Sequence, residues 1–200
     1  MEYHSAVMLK ETVDGLDIKP DGVYVDVTFG GGGHSREILS RLGPDGLLFA
    51  FDQDPDAQAN IIEDERFTLI AQNFRYMARY LKFYGVMEVD GVLGDFGVSS
   101  HQFDQADRGF STRFDAGLDM RMDQTSKLSA YEVINHYDEA ELARCLFYYG
   151  ELRNANQMAA AIATARVNGG IKTSFQLKEV LASFLPAAKQ HKILAQIFQA

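Results

Sequence analysis

Apolar residues in the first half of the chain gather in four short runs, Val23–Val27, Leu47–Phe51, Phe67–Ala71 and Val89–Leu93. Between them lie stretches with helical spacing near 35–42, 55–64 and 74–84. Such alternation of strand and helix predicts an α/β fold with a parallel sheet and right-handed crossovers. From about Ser129 onward the spacing changes to threes and fours, with Ala140, Ala143 and Phe147, and later Val180, Leu181 and Phe184. That is a helical pattern, and no strand is expected after Leu93. Asp104–Thr125 joins the halves. It is rich in Gly, Asp and Arg, has little periodicity, and is long for a structureless connection, a kind of loop that is usually functional or disordered.

Ligands of parallel α/β sheets bind beyond the carboxyl ends of the strands, so the residues just after each strand carry the candidate chemistry. After the first strand come four glycines, Gly30–Gly33, and a helix expected to start at His34 or Ser35, either of which could cap it. A helix start offers unpaired N–H groups and a partial positive charge, which suit a carboxylate. A phosphate-cradling P-loop needs Lys and Ser or Thr after its last glycine, and His34, Ser35 and Arg36 stand there instead. A dinucleotide fingerprint needs a glycine where Ser35 stands. What fits is an acidic residue, Asp26, four positions before Gly30, followed by Gly30-x-Gly32, the pattern similar to the first motif of S-adenosylmethionine (SAM)-dependent methyltransferases.

After the second strand, Asp52 stands 22 residues past Gly30, an interval at which an acidic residue binds ribose hydroxyls. Asp54 precedes Pro55 and reads as a helix N-cap with proline at the first helical position. Asp52 is thus expected to serve a ligand and Asp54 the structure. After the third strand, Phe74 either lies against an adenine ring or belongs to the core. After the fourth, Asp95 ends a strand expected to be central and buried. A carboxylate there needs a partner, because burying an unpaired charge is costly, and this makes Asp95 a functional candidate.

Composition narrows the setting. Of 200 residues, 46% are hydrophobic and 12% aromatic, enough for one large domain or two small ones with a buried core. No run is long enough to span a membrane, and Met1–Gly15 has no signal-peptide pattern. One cysteine, Cys145, excludes an internal disulfide framework and fits a reducing cytoplasm; it reads as a small buried hydrophobe rather than a nucleophile. The five histidines, His4 among them, show no metal-ligand spacing. Net charge is −9 but uneven: residues 151–200 carry six Lys or Arg against two Asp or Glu. This asymmetry permits a basic surface on the C-terminal part.

Seven segments then carry a specific resemblance. They are Thr28-Phe29-Gly30-x-Gly32-Gly33-His34-Ser35, Asp52-x-Asp54-Pro55, Asp95-x-Gly97-Val98-Ser99-Ser100-x-Gln102, Arg108-Gly109-Phe110-Ser111, Leu118-Asp119-Met120-Arg121-Met122-Asp123, Tyr149-Gly150-Glu151 and Phe198-Gln199-Ala200. In this order, across nearly the whole chain, they resemble the MraW-type methyltransferases, which methylate the exocyclic N4 amine of a cytosine in bacterial 16S ribosomal RNA within the small ribosomal subunit. His101 stands where that family often has proline, and Ala116-Gly117 where it has Gly-Pro.

The resemblance implies a Rossmann-like class I SAM-dependent methyltransferase sheet with an inserted helical domain. Residues 1–103 would form an incomplete SAM-binding core lacking its last strands, since family members continue past Phe198-Gln199-Ala200. Residues 104–200 would form the central loop and a helical substrate-recognition insert. SAM would be held by Gly32, Gly33, His34, Asp52, Phe74, Asp95 and Gln102. Asp95 is the catalytic candidate, since a carboxylate accepting one N–H of the cytosine amine would localise its lone pair. Arg108, Arg113 and Arg121 are candidates for phosphate contacts and equally for solvated loop charges. Two other readings stand beside this one: an NAD-dependent oxidoreductase using the same glycine loop, and a non-catalytic RNA-binding factor of ribosome assembly.

Overall fold

The computed structural model describes residues 8–200, the side chains of Ser100 and His101 excepted. His4 lies outside them. The chain divides into two compact units. The first comprises the described residues up to Ser99 with Met122–Gln124; the second comprises Ser100–Arg121 and Thr125–Ala200.

The first unit is built on β1 (Val23–Asp26), β2 (Leu47–Phe51), β3 (Phe67–Ile70) and β4 (Gly91–Leu93). All pair in parallel, in the order β3-β2-β1-β4. The expected parallel α/β sheet is therefore present. Side chains alternate between its faces. Leu48 and Ala50 pack on one side with Tyr24, Ile38 and Leu39, while Phe49 and Phe51 pack on the other with Val25, Ile70 and Leu81. Both faces are covered, which is why β2 reads as an unbroken apolar run. The helices are α1 (Leu9–Asp14), α2 (Gly33–Arg41) and α3 (Met77–Phe83). The short α1, which the sequence pattern did not reveal, buries Val13 completely.

Two of the expected helices are shorter than their apolar spacing suggests. Only Pro55–Asn60 is helical in the span 55–64, and as a 3-10 turn. The chain is diverted because Asp64 and Arg66 form a tight ion pair at 2.6 Å, while Arg66 Nη1 donates to Leu42 O at 2.8 Å. That guanidinium holds the Asp64 carboxyl at about 2. In the span 74–84, a 3-10 turn at Phe74–Tyr76, with Asn73 accepting from Arg75 N–H, precedes α3.

The second unit is helical: α4 (Ser100–Asp104), α5 (Ala130–His136), α6 (Glu139–Tyr148), α7 (Ala155–Ala165), α8 (Ser174–Val180) and α9 (Gln190–Gln199). Reciprocal capping boxes, Asp138 with Glu141 and Thr173 with Gln176, start α6 and α8. In α7 the buried residues Ala155, Met158, Ala159 and Ile162 recur at threes and fours and face the inner sides of α6, α8 and α9. The segment 104–125 is not structureless. Gly117 bridges antiparallel to Thr173, Leu118 N–H donates to Lys172 O at 3.2 Å, and Tyr131 N–H donates to Leu118 O at 2.6 Å. Leu118 itself is a core residue.

Candidate functional site

The site is organised around the end of β1. Asp26 is 0% exposed, and its oxygens accept from Ser35 Oγ at 2.7 Å and from Thr28 N–H at 3.0 Å. One carboxylate thus ties the strand's exit to the first turn of α2. Burial raises its pKa, while the Ser35 and Thr28 bonds and the neighbouring His34 oppose that rise. Asp26 is the buried, partnered carboxylate that the sequence pattern assigned to Asp95. The signal was its place within an apolar strand, directly before the glycines.

The loop then turns through Gly30 and Gly32, with φ of 49° and 75°, a region that side chains disfavour. A Cβ on Gly32 would stand 2.9 Å from the Phe29 ring and 2.8 Å from Arg36 Nη1. The carbonyls of this loop are occupied: Arg36 Nη1 donates to Gly31 O at 2.7 Å and Asn60 Nδ2 to Gly30 O at 3.1 Å. Neither Arg36 nor Asn60 was singled out by sequence reasoning. Helix α2 starts at Gly33 with Gly32 as its N-cap and no side-chain cap. This corrects the expected start at His34 or Ser35, because Ser35 spends its hydroxyl on Asp26. The first hydrogen bond of the helix joins Arg36 N–H to Gly32 O. The N–H groups of Gly33, His34 and Ser35 are therefore left without an acceptor among the described residues, as at any uncapped helix start. His34 is only 5% exposed, and its Nε2 is buried without a hydrogen-bond partner among the described residues.

Asp52, at the end of β2, is half-buried. Its Oδ2 accepts from Gly30 N–H at 2.8 Å and its Oδ1 from Asp54 N–H at 2.9 Å. Burial raises its pKa, and these backbone bonds work against the rise. Asp54 caps the 3-10 turn, accepting from Asp56 N–H at 3.1 Å with Pro55 at the first position, as expected. The division of Asp52 for ligand and Asp54 for structure does not hold as drawn, since Asp52 also anchors the glycine loop. Each carboxylate oxygen has a second lone pair, so acceptor capacity remains for hydroxyl donors.

Phe74 is 41% exposed and its ring lies 5.5 Å from that of Phe96, itself 70% exposed. The core reading of Phe74 is thereby set aside. Asp95 is exposed, which corrects its expected burial. β4 is a three-residue strand at one edge of the described sheet, and Asp95 lies two positions beyond it. Its backbone N–H donates to Thr28 Oγ1 at 2.7 Å, which ties it to the start of the glycine loop. The structure thus joins the segment after β4 to the loop through Thr28, and joins Asp52 to it through Gly30. Gln102 is buried in α4 of the second unit.

The arginines of the segment 104–125 divide differently from expectation. Arg121 grips Asp119 with two bonds, Nε to Oδ1 at 2.9 Å and Nη2 to Oδ2 at 2.6 Å, and gives Nη1 to Ser126 O at 2.8 Å. This guanidinium lowers the pKa of Asp119. Arg108 is buried and donates to Arg121 O at 3.0 Å. Only Arg113, weakly paired with Asp104 at 3.1 Å, is a solvated charge. Cys145 is half-buried, and burial raises its pKa, which makes it a poor nucleophile. Among the described residues no His, Cys, Asp and Glu group could hold a metal ion, and no helix is long and apolar enough to cross a membrane.

The profile of the MraW methylase family matches residues 1–200. The chain belongs to that family. Similar proteins named "Ribosomal RNA small subunit methyltransferase H" come from Christiangramia forsetii, 66% identical, Flavobacterium johnsoniae, 64% identical, and Bacteroides thetaiotaomicron, 50% identical. Each match covers all of this chain and 66% of the relative, so the chain spans just under two thirds of the length of these proteins. Membership in the MraW family agrees with the α/β methyltransferase sheet and leaves the oxidoreductase reading without support.

Proposed function

We propose that this chain is the SAM-binding part of an RNA methyltransferase that acts on the exocyclic N4 amine of a cytosine in 16S ribosomal RNA of the small ribosomal subunit, in the cytoplasm. The observation that carries the cofactor assignment is the buried Nε2 of His34 together with three N–H groups at the start of α2, none of which has a partner among the described residues. Donors that the fold leaves unpaired fit a carboxylate such as that of the methionine portion of SAM. The names of the similar proteins support RNA as the substrate.

In this reading Gly32 and Gly33 let the backbone approach the cofactor, and His34 donates to its carboxylate. Asp52 accepts from the ribose hydroxyls, and Phe74 lies beside the adenine. Bound there, SAM supplies a methyl group activated by its sulfonium. Asp95 accepts one N–H of the cytosine amine and directs the nitrogen lone pair, and it also contributes to holding the cofactor. The target base has to leave its stack to reach such a site. Alignment supplies roughly 7–11 kcal/mol of barrier reduction, against about 10²–10⁴-fold in rate for a positioned base. Holding the two partners is therefore the main task of these residues. Residues 1–103 form the core in this account, and residues 104–200 a helical insert that recognises substrate.

Titration of the full-length protein with SAM and with NAD tests the cofactor, and transfer of labelled methyl to unmodified small ribosomal subunits tests the substrate. SAM binding with incorporation into 16S RNA is expected. Binding of NAD but not SAM would overturn the cofactor assignment. SAM binding without incorporation would favour an RNA-binding assembly factor.

A further inference from the structure

The motif Tyr149-Gly150-Glu151 takes no part in the site above, yet the structure gives it a distinct form. Helix α6 turns Leu142, Ala143 and Leu146 into the core of the second unit. Phe147, Tyr148 and Tyr149 follow and remain 53%, 69% and 64% exposed. The backbone beneath them is pinned. Gly150 is buried, and a Cβ there would stand 2.8 Å from both Leu146 O and Gln196 O. Glu151 adopts a left-handed φ of 54°, strained for a residue with a side chain. Leu152 then returns to the core and donates its N–H to Leu146 O at 3.1 Å. Three consecutive rings are thus presented outward on a rigid turn, although burying them would stabilise the fold. Exposed apolar clusters of this kind mark contact surfaces.

Charge points to the partner. Arg144 and Arg153 flank the rings, are exposed, and make no ion pair among the described residues. Residues 151–200 are net basic, six Lys or Arg against two Asp or Glu, in a chain of net charge −9. Aromatic faces stack on unpaired bases, and guanidiniums neutralise the phosphates between them. Glu151 places one carboxylate in the patch; it disfavours a phosphate at that spot and can accept from the exocyclic amine of a base.

We propose that the turn from Phe147 to Arg153, with Arg144, is a contact surface for a single-stranded segment of RNA. This rests on the reading of the protein as an RNA methyltransferase. The test uses the full-length protein with two probes, a labelled single-stranded oligoribonucleotide of small-subunit ribosomal RNA sequence and its duplex. Replacing Phe147, Tyr148 and Tyr149 together by Ser is expected to weaken single-strand binding at least about tenfold, given the strength of base stacking on such rings. SAM affinity and the unfolding midpoint should stay unchanged. Arg144→Ala with Arg153→Ala should lower the slope of log K against log salt by about 0.7 per residue. If the triple variant does not fold, Tyr148→Ser, at the most exposed ring, carries the stacking test with a smaller loss.

Unchanged RNA affinity in these variants would overturn the proposal. So would a change from dimer to monomer with RNA binding intact, which would make the patch a protein interface. Wild-type protein that binds SAM but neither RNA probe nor small subunits would bring down the RNA reading itself, and the proposal with it.

Discussion

The glycine loop Phe29–His34 and the segment 104–125 both look functional in sequence, the first for its four glycines and the second for its glycine and charge, but they use their polar groups in opposite ways. In the glycine loop, Asp26, Asp52, Arg36 and Asn60 satisfy the backbone that shapes it, while His34 Nε2 and three helix-start N–H groups find no partner among the described residues. In the segment 104–125, Arg121 is consumed by Asp119 and Ser126. The difference teaches that a buried donor without a partner is a better guide to a ligand than a count of charges. A charge whose bonds are all spent locally is part of the scaffold.

The comparison can be broken most directly at Asp26. Asp26→Ala leaves the Ser35 hydroxyl and the Thr28 N–H buried without their acceptor, at about 1–3 kcal/mol each. Denaturant unfolding should show a loss of about 3 kcal/mol, and a loss near zero would mean that Asp26 is no anchor. Next comes Asp52→Ala, which removes acceptors for Gly30 and Asp54 N–H. It should lower SAM affinity and also cost about 1–2 kcal/mol of stability; a change in affinity alone would restore the simpler ligand role. Arg121→Ala should cost about 1 kcal/mol of stability while leaving the salt dependence of RNA binding unchanged, whereas Arg113→Ala should alter stability by less than about 0.5 kcal/mol. A reduced salt slope for Arg121→Ala would show that the pair opens to meet phosphate.

The smallest effect is one of pH. Burial raises the Asp26 pKa above its unfolded value, so the folded protein binds more protons than the unfolded chain between those two values. Its contribution to stability is therefore greatest at low pH and is lost as pH rises through that window. The stability of Asp26→Asn relative to wild type should improve from pH 4 to pH 7, measured by urea unfolding. The opposite trend would mean that the carboxylate is held as a favourable anion.

Much of the first unit was legible because its signals are local. β2 begins and ends where its apolar run does, and Asp54-Pro55 caps as its residue types require. The glycines at 30 and 32 take the positive φ that their residue type permits. The burial expected of Asp95 is found instead at Asp26, because strand order is not written locally. β1 is interior and β4 lies at the edge only once pairing is known. The segment 104–125 was read as irregular because its order comes from partners far along the chain, such as Ala116 O with Ser174 N–H and Leu118 N–H with Lys172 O. Of the site, the glycines and the acid at 52 were visible in residue type. The free Nε2 of His34 was not, since an unpaired atom is defined by everything that fails to reach it.

That atom carries the central claim, and a binding cycle tests it most directly. The full-length protein and its His34→Ala variant are titrated calorimetrically with SAM and with decarboxylated SAM. A charge-assisted hydrogen bond is worth about 1.5–3 kcal/mol, so wild type should prefer SAM by roughly tenfold or more. His34→Ala should lose most of that preference while binding decarboxylated SAM nearly as well as wild type does. Equal weakening of both ligands, or an undiminished preference for SAM in the variant, would contradict the assignment of His34 to the cofactor carboxylate.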